Sequence, residues 1–142
     1  MNPEIETTLV KIGEEILKQD NRCTAYPIFQ VRGKRRIYGM DPDYTDNPVW
    51  IDLENECEEV DPPDDENNTS LLKTGYVEIW EVITCAFTEK ACLEYIERNR
   101  HRHSSYVELD VYADSLYRNP EMIAIYEALT GFAKEHRSEG EG

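Results

Sequence analysis

The segment that decides the fold reads GYVEIWEVIT (75–84), followed almost at once by FTEKACLEYIERN (87–99). The first part is rich in Val, Ile, Tyr and Trp, the residue types enriched in β-strands, so it predicts a strand. Thr88 then suits the N-cap of a helix, and Phe87 and Cys92 suit the apolar contact that often accompanies such a cap. A strand that leads directly into a helix indicates mixed α and β structure.

More strands are predicted on both sides of this segment. The β-rich runs 26–31 and 35–40 flank Gly33-Lys34, and glycine in the first position of a two-residue loop suits the type II′ turn of a hairpin. Alternating apolar and polar residues predict further strands at 49–53 and 107–111. Before the central segment, therefore, we expect three consecutive strands.

Helices are predicted near both ends of the chain. Asn2 suits a helix cap and Pro3 the first helical position, and Asn119-Pro120 repeats that combination. Apolar residues recur at helical spacing after each start. They are Ile5, Leu9, Ile12 and Ile16 in the first helix, and Met122, Ile125, Tyr126, Leu129 and Phe132 in the last.

These elements define an α+β fold in the order α-β-β-β-β-α-β-α. Consecutive strands favour a mainly antiparallel sheet, and we expect the helices to pack on one face of it. A chain of 142 residues fits one domain. We therefore expect a single domain at 1–137, with an acidic loop at about 54–70 and a frayed tail at 138–142.

Negative charge is concentrated in one part of the chain. The formal net charge is −15, and the span 41–66 contains no Lys or Arg. Such a span disfavours contact with phosphate or anionic lipid and favours basic partners, although acidic runs often serve only as solubilising loops. Its twelve acids are Asp41, Asp43, Asp46, Asp52, Glu54, Glu56, Glu58, Glu59, Asp61, Asp64, Asp65 and Glu66.

The cysteines and the apolar runs bear on location. The acidic start of the chain, MNPEIE, lacks the chemistry of a secretory signal, and no apolar run approaches the ~20 residues of a membrane span. We therefore expect a cytoplasmic protein that does not enter membranes. In that compartment the four thiols, at Cys23, Cys57, Cys85 and Cys92, should be reduced.

The catalytic and metal-binding patterns in the sequence are weak. No glycine-rich phosphate loop and no C-x-x-C pair is present, so we expect neither an enzyme nor a cofactor or structural metal. One alternative is a small enzyme or metal-binding protein built on His101 and His103. In an extended segment these two side chains would project on the same side, with Asp110 or Asp114 as a further ligand.

A basic cluster at Arg32, Lys34, Arg35 and Arg36 admits several interpretations. Four cations beside aromatic residues resemble a small nucleic-acid contact, which is a second alternative function. The cluster could instead pair with the acidic segment within the chain, or protect an edge strand. The strongly negative net charge favours these intramolecular interpretations over phosphate binding.

Three segments, KRRIYGMDPDYTDNPVW (34–50), FTEKACLEYIERNRHR (87–102) and YADSLYRNPEM (112–122), carry a resemblance to known sequences. Together with GYVEIWEVIT (75–84) they resemble a family of small uncharacterised proteins encoded in bacteriophages and prophages. The resemblance covers roughly residues 26–130. It implies a bacterial cytoplasm, and it brings no activity, cofactor or catalytic residue.

The sequence therefore predicts a non-enzymatic phage accessory protein that binds a host or phage macromolecule. One version is a nucleic-acid mimic, whose carboxylates imitate phosphates and occupy a basic site on a protein. Nucleic acid itself is disfavoured as a partner, and the oligomeric state is left open. The candidate binding residues are Glu58, Glu59, Asp64 and Asp65, together with Arg32, Lys34, Arg35 and Arg36.

Overall fold

A computed structural model describes residues 1–64 and 69–141. Within these residues the helices are α1 (Pro3–Lys18), α2 (Glu89–Asn99) and α3 (Pro120–Glu141). The strands are β1 (Pro27–Met40), β2 (Val49–Asp52), β3 (Glu58–Val60), β4 (Leu71–Ala86) and β5 (Glu108–Ser115). Short 3₁₀ helices lie at Pro42–Tyr44 and Arg100–His103.

The described strands form one antiparallel sheet in the order β3-β2-β4-β1-β5, with the helices packed against it. This confirms the predicted α+β class and the predicted order of elements. Local signals placed the helix starts correctly. The side chains of Asn2, Thr88 and Asn119 each accept a hydrogen bond from a backbone N–H in the first turn of the helix that follows.

The predicted hairpin at 26–40 is wrong, because β1 runs without a break from Pro27 to Met40. A type II′ turn needs a positive φ at its first central residue. Gly39 is the one glycine with positive φ among the described residues, so Gly33 has ordinary backbone geometry and lies buried within the strand. The number of described strands still agrees with the prediction, because β3 forms at Glu58–Val60, where no strand was expected.

Strand β3 forms inside the segment that the sequence assigns to an acidic loop. It pairs antiparallel with β2, so that Trp50 lies opposite Val60 and Asp52 opposite Glu58. The turn between them holds Glu56 and Cys57 at φ values of 54° and 56°. Greater mobility of the 54–70 region stays a prediction, as does fraying at 138–142, and residues 65–68 and 142 lie outside the described part of the chain.

The chain divides into two compact units. Unit 1 comprises residues 1–33, 82–104 and 109–142, and unit 2 comprises residues 34–81 and 105–108. Unit 1 contains two apolar clusters. One is built on Phe29, Val31, Cys92 and Ile96, and the other on Ile16, Tyr126 and Leu129.

Close packing of α1 on α3 stabilises unit 1. A Cβ placed on Gly13 would overlap the backbone carbonyl of Leu129, so a larger residue could not keep this approach. Leu129 is 4% exposed, which confirms its predicted place in the core. Ile125, predicted on the same apolar face, is instead 47% exposed.

Unit 2 has little apolar interior. Ile51 is the one hydrophobic residue of its described part that is buried, at 2% exposure, and Thr74 is the buried polar one. The Thr74 hydroxyl accepts a hydrogen bond from the Gly39 N–H at 2.8 Å. This unit therefore depends on polar contacts more than unit 1 does.

Candidate interaction surface

The basic cluster lies along β1, where successive side chains point to opposite faces of the sheet. In unit 2, Arg36 lies 2.6 Å from Glu59 through its Nη1, and its guanidinium stacks 4.2 Å from the centre of the Tyr76 ring. Its Nε is buried, and it lies 3.9 Å from a Glu78 oxygen, which is too far for a hydrogen bond. Arg36 is therefore enclosed by acids and an aromatic ring.

Lys34 projects from the same face of the strand. Its Nζ lies 3.1 Å from Glu108 and 3.6 Å from Glu78, and it sits 5.2 Å from the centre of the Trp80 ring. The hydrogen bond to Glu108 raises the pKa of Lys34 above its usual 10.5. The ammonium therefore stays charged at every physiological pH.

Arg35 projects from the opposite face. Its Nη2 lies 2.6 Å from a Glu81 oxygen, and the Tyr106 hydroxyl donates to the other oxygen of Glu81 at 2.8 Å. That hydrogen bond raises the pKa of Tyr106. Glu81 therefore holds together a three-residue contact within unit 2.

Arg32 belongs to unit 1 and is held there in a similar way. Its Nε and Nη2 donate to the two oxygens of Asp110 at 3.1 and 2.8 Å, and its guanidinium lies 4.2 Å from the centre of the Tyr112 ring. Two parallel hydrogen bonds to one carboxylate make a geometrically specific pair.

All four cations of the predicted basic cluster are thus engaged by carboxylates of the chain itself. A phosphate would therefore compete with those carboxylates for contact with the four cations. The pairing of Arg36 with Glu59 supports the prediction of a match to the acidic segment. Protection of an edge strand is wrong, because β1 lies between β4 and β5 in the sheet.

Exposed acids surround this framework in unit 2. Glu59 is the one acid of the described span 41–64 that forms an ion pair, and it also accepts a hydrogen bond from the Tyr38 hydroxyl at 3.0 Å. Burial, followed by that hydrogen bond, raises the pKa of Tyr38 to about 12. Glu58 accepts from the Asn55 amide at 3.0 Å.

Of the other two candidate acids, Asp64 and Asp65, only Asp64 lies in the described part of the chain. Asp64 is exposed. Glu54, Glu56 and Asp61, which the sequence placed in the same acidic span, are exposed as well. Glu54, Glu56, Glu58 and Glu59 therefore face solvent on a hairpin of β2 and β3, and these strands are hydrogen-bonded into the sheet.

The histidine pair predicted in an extended segment lies instead on the 3₁₀ helix Arg100–His103. His103 is 3.0 Å from the hydroxyl of Tyr95, while Asp110 is held by Arg32. In the part of the chain that the structure describes, no three His, Cys, Asp or Glu side chains are grouped as a metal site requires. The metal-binding alternative therefore gains no geometric support.

The four cysteines carry free thiols, and three of them are exposed. Cys92 is buried in unit 1, where its thiol donates to the carbonyl of Phe29 at 3.4 Å. Burial raises the pKa of this thiol to about 11. Since the thiolate is the reactive form, Cys92 is inert at neutral pH.

A cleft of about 110 Å³ lies between α1 and α3 in unit 1, lined by Leu9, Val10 and Phe132 among others. Sites for small molecules usually measure about 300–1,000 Å³. This cleft is therefore small for a substrate or cofactor.

Sequence reasoning missed the residues that neutralise the basic cluster. They are Glu78, Glu81 and Glu108, with the rings of Tyr76, Trp80 and Tyr112. A signal was present in YVEIWEV (76–82), where two glutamates and two aromatic residues are interleaved among aliphatic ones. Matching them to β1 required the strand order, which the sequence does not reveal.

No protein-family model, curated protein or solved structure matches this chain. Among the described residues, none of the helices combines the length and apolar character needed to cross a lipid bilayer. The fold and surface define an α+β protein in which one unit contains the helices and the apolar clusters and the other is an acidic, ion-paired part of the sheet.

Proposed function

We propose that this chain is a non-enzymatic binding protein that engages a basic macromolecular partner through the acidic surface of unit 2. The observation that carries the proposal is the distribution of charge. Unit 2 contains fifteen acidic and four basic residues, which gives −11 of the total −15. A field of one sign attracts an oppositely charged partner and speeds its association.

Internal pairing strengthens this argument. Lys34, Arg35 and Arg36 are three of the four cations of unit 2, and each is in contact with acids of the same unit. The acids that they engage are Glu59, Glu78, Glu81 and Glu108, of which only Glu59 belongs to the span 41–66. Most of the other described acids of that span are exposed and could contact a partner, namely Asp41, Asp43, Asp46, Glu54, Glu56, Glu58, Asp61 and Asp64.

The nucleic-acid mimic is the more specific version of this proposal. A mimic needs carboxylates on an ordered backbone, because phosphates repeat at a regular spacing along a strand. Placement of Glu58 and Glu59 on β3, paired in register with β2, supplies such order for part of the segment. A phage or prophage setting, which the sequence resemblance implies, fits a protein that occupies a basic site on a host or phage factor.

The experiment that tests the proposal compares two matched charge removals in the full chain. Glu58→Gln, Asp61→Asn and Asp64→Asn together neutralise three exposed acids of unit 2 while sparing Glu59, which anchors Arg36. The control neutralises three exposed acids of unit 1, by Glu94→Gln, Glu97→Gln and Glu135→Gln.

The probe is a synthetic lysine-rich peptide, with binding followed by calorimetry. We expect the unit 2 variant to bind at least about fivefold more weakly than the control, since each lost charge near the site weakens long-range attraction. Raising the salt to about 0.5 M, where the screening length is roughly 4–5 Å, should remove most of the wild-type affinity. Equal effects of the two variants would show attraction to net charge alone and would refute a site in unit 2.

A further inference from the structure

One face of the unit 2 sheet exposes aliphatic side chains that are adjacent to one another. Arg35 and Glu81 are in contact, so their side chains share this face. Alternation along β1 places Ile37 on the same face, and alternation along β4 places Val77 and Ile79 there. We call Ile37, Val77 and Ile79 the apolar strip.

The apolar strip is open to solvent. Ile37 is 40% exposed and Val77 is 42% exposed, while Ile79 is half-buried. Single exposed aliphatic residues are common on protein surfaces, but a contiguous set on a flat sheet face is typical of a contact surface. These three residues lie in the unit whose described part has one buried hydrophobic residue, Ile51.

An acidic turn borders the strip. A Cβ on Gly75, two residues before Val77, would lie 2.5 Å from the carbonyl oxygen of Asp41 and 2.9 Å from Oγ1 of Thr45. The turn that carries these two residues therefore lies against the same face of β4. Asp41 and Asp43 are exposed on this turn, beside the strip.

The negative charge and the apolar surface together indicate which class of molecule could bind the apolar strip. A second copy of the chain would bring −11 against −11, and a nucleic acid would bring phosphates toward the same acids, so both are repelled. A protein segment with aliphatic residues on one side and Lys or Arg on the other matches both features. The aliphatic residues would cover the strip, and the cations would reach Asp41 and Asp43.

We propose that the apolar strip of unit 2 seats a basic, amphipathic segment of a partner protein. The inference rests on the proposed function and adds the place and the chemistry of the contact. It requires that apolar burial contribute to binding in addition to charge, and this requirement separates it from the general electrostatic proposal.

The test uses two synthetic peptides of equal length and charge. One is an amphipathic Lys/Leu peptide, and the other carries Ser in place of each Leu. Each is titrated into the ¹⁵N-labelled full chain and followed by NMR. We expect the Lys/Leu peptide to bind about tenfold more tightly, which corresponds to about 1.4 kcal/mol. The largest amide shifts should fall at residues 37, 77 and 79.

A matched pair of variants locates the contact. Ile37→Thr with Val77→Thr removes aliphatic surface from the strip while keeping β-branched residues that suit a strand. Leu72→Thr with Val82→Thr makes a similar change at β4 residues that are 43% and 54% exposed and that alternation places on the opposite face of the sheet. The strip variant should lose about tenfold for the Lys/Leu peptide and nothing for the Lys/Ser peptide, and the control variant should match the wild type.

Three results would overturn the inference, and they differ in what they say of the proposed function. If both peptides bind equally and the strip variant has no effect, binding is electrostatic and only the strip proposal fails. If neither peptide binds, both proposals fail. If ultracentrifugation shows a dimer that the strip variant dissociates, the strip is an interface between copies of this chain.

Discussion

The two units contain fifteen acidic residues each, but unit 1 balances them with eleven basic residues and unit 2 with four. The two units also differ in how many hydrophobic residues they bury. The buried hydrophobic residues of unit 1 include Phe29, Ile96 and Leu129, whereas the described part of unit 2 buries Ile51 alone. Unit 1 is therefore stabilised chiefly by apolar packing, and unit 2 by ion pairs, cation–π contacts and hydrogen bonds.

Because of this difference, dissolved salt should affect the stability of the two units unequally. Apolar packing depends little on salt, whereas exposed and half-buried ion pairs weaken as salt screens them. A unit whose cations are already paired and whose acids are in excess should also attract positively charged partners. Four measurements can sharpen or break this comparison.

The largest effect should come from a cavity in unit 1. Leu129→Ala removes a side chain that is 4% exposed and packs with Ile16 and Tyr126, so it should reduce the free energy of unfolding by about 2–5 kcal/mol. Urea denaturation followed by circular dichroism measures this. Ile125→Ala on the same helix is the control, because that residue is 47% exposed, and its cost should be below about 1 kcal/mol. Equal costs would mean that α3 does not bury the face described above.

Removing a cation from unit 2 should have a smaller, salt-dependent effect. Arg36→Met keeps the aliphatic stem but removes the ion pair with the exposed Glu59 and the contact with the Tyr76 ring, at a cost of about 0.5–2 kcal/mol. Denaturation in low and high salt measures both aspects. The difference between wild type and variant should shrink at high salt, because the lost interaction is partly screened there. A cost that ignores salt would show that Arg36 acts mainly through its contact with Tyr76.

Alkaline pH should distinguish the two units through two raised pKa values. The pKa of Cys92 in unit 1 rises from 9.0 to about 11, and that of Tyr38 in unit 2 from 10.0 to about 12. In both cases the folded state resists ionisation, so the stabilising contribution is full below the usual pKa and is lost as pH rises through the folded value. Stability should therefore decline from pH 9 to 11 for the thiol and from pH 10 to 12 for the phenol.

Two conservative variants separate these alkaline losses. Tyr38→Phe should reduce the dependence between pH 10 and 12 and leave the thiol-dependent part, together with the contributions of the other groups whose pKa values are raised, which are Tyr26, Tyr106, Tyr126 and Lys34. Cys92→Ala should instead remove the thiol-dependent part. Denaturation midpoints measured across the alkaline range provide the comparison. An unchanged profile in the Tyr38→Phe variant would show that the phenol is as exposed in the folded state as in the unfolded one.

The smallest effect concerns local opening. Regions with few buried apolar contacts open at lower free energy than core strands. Backbone amides of β2 in unit 2 should therefore exchange about tenfold faster than those of 109–111 in unit 1, and exchange at 54–64 should be faster still. Hydrogen exchange followed by NMR gives these rates. Equal protection at 54–64 and 109–111 would contradict a polar, easily opened unit 2 and would favour a rigid acidic surface of the kind that a mimic needs.

Much of the secondary structure could be predicted, because its signals are local. The caps at Asn2, Thr88 and Asn119 act on N–H groups within three residues, and the start of each helix follows from them. The candidate site was only partly predictable. Arg32, Lys34, Arg35 and Arg36 were singled out as a cluster, yet their carboxylate partners lie 23 to 78 residues away, as the contacts of Arg36 with Glu59 and Arg32 with Asp110 show.

The sequence by itself determined the α+β class, the helix starts, the excess of negative charge and the crowding of acids into 41–66, since these depend on composition and on neighbours along the chain. The tertiary structure alone decided that Gly33 continues a strand, that Glu58–Val60 forms another, and which acids neutralise the cations of β1. The physical reason is that a strand is stabilised by hydrogen bonds and side-chain contacts with adjacent strands. A turn-forming glycine or an acidic run is therefore overridden where the sheet provides a strand to pair with, on both sides of β1 and on one side of β3.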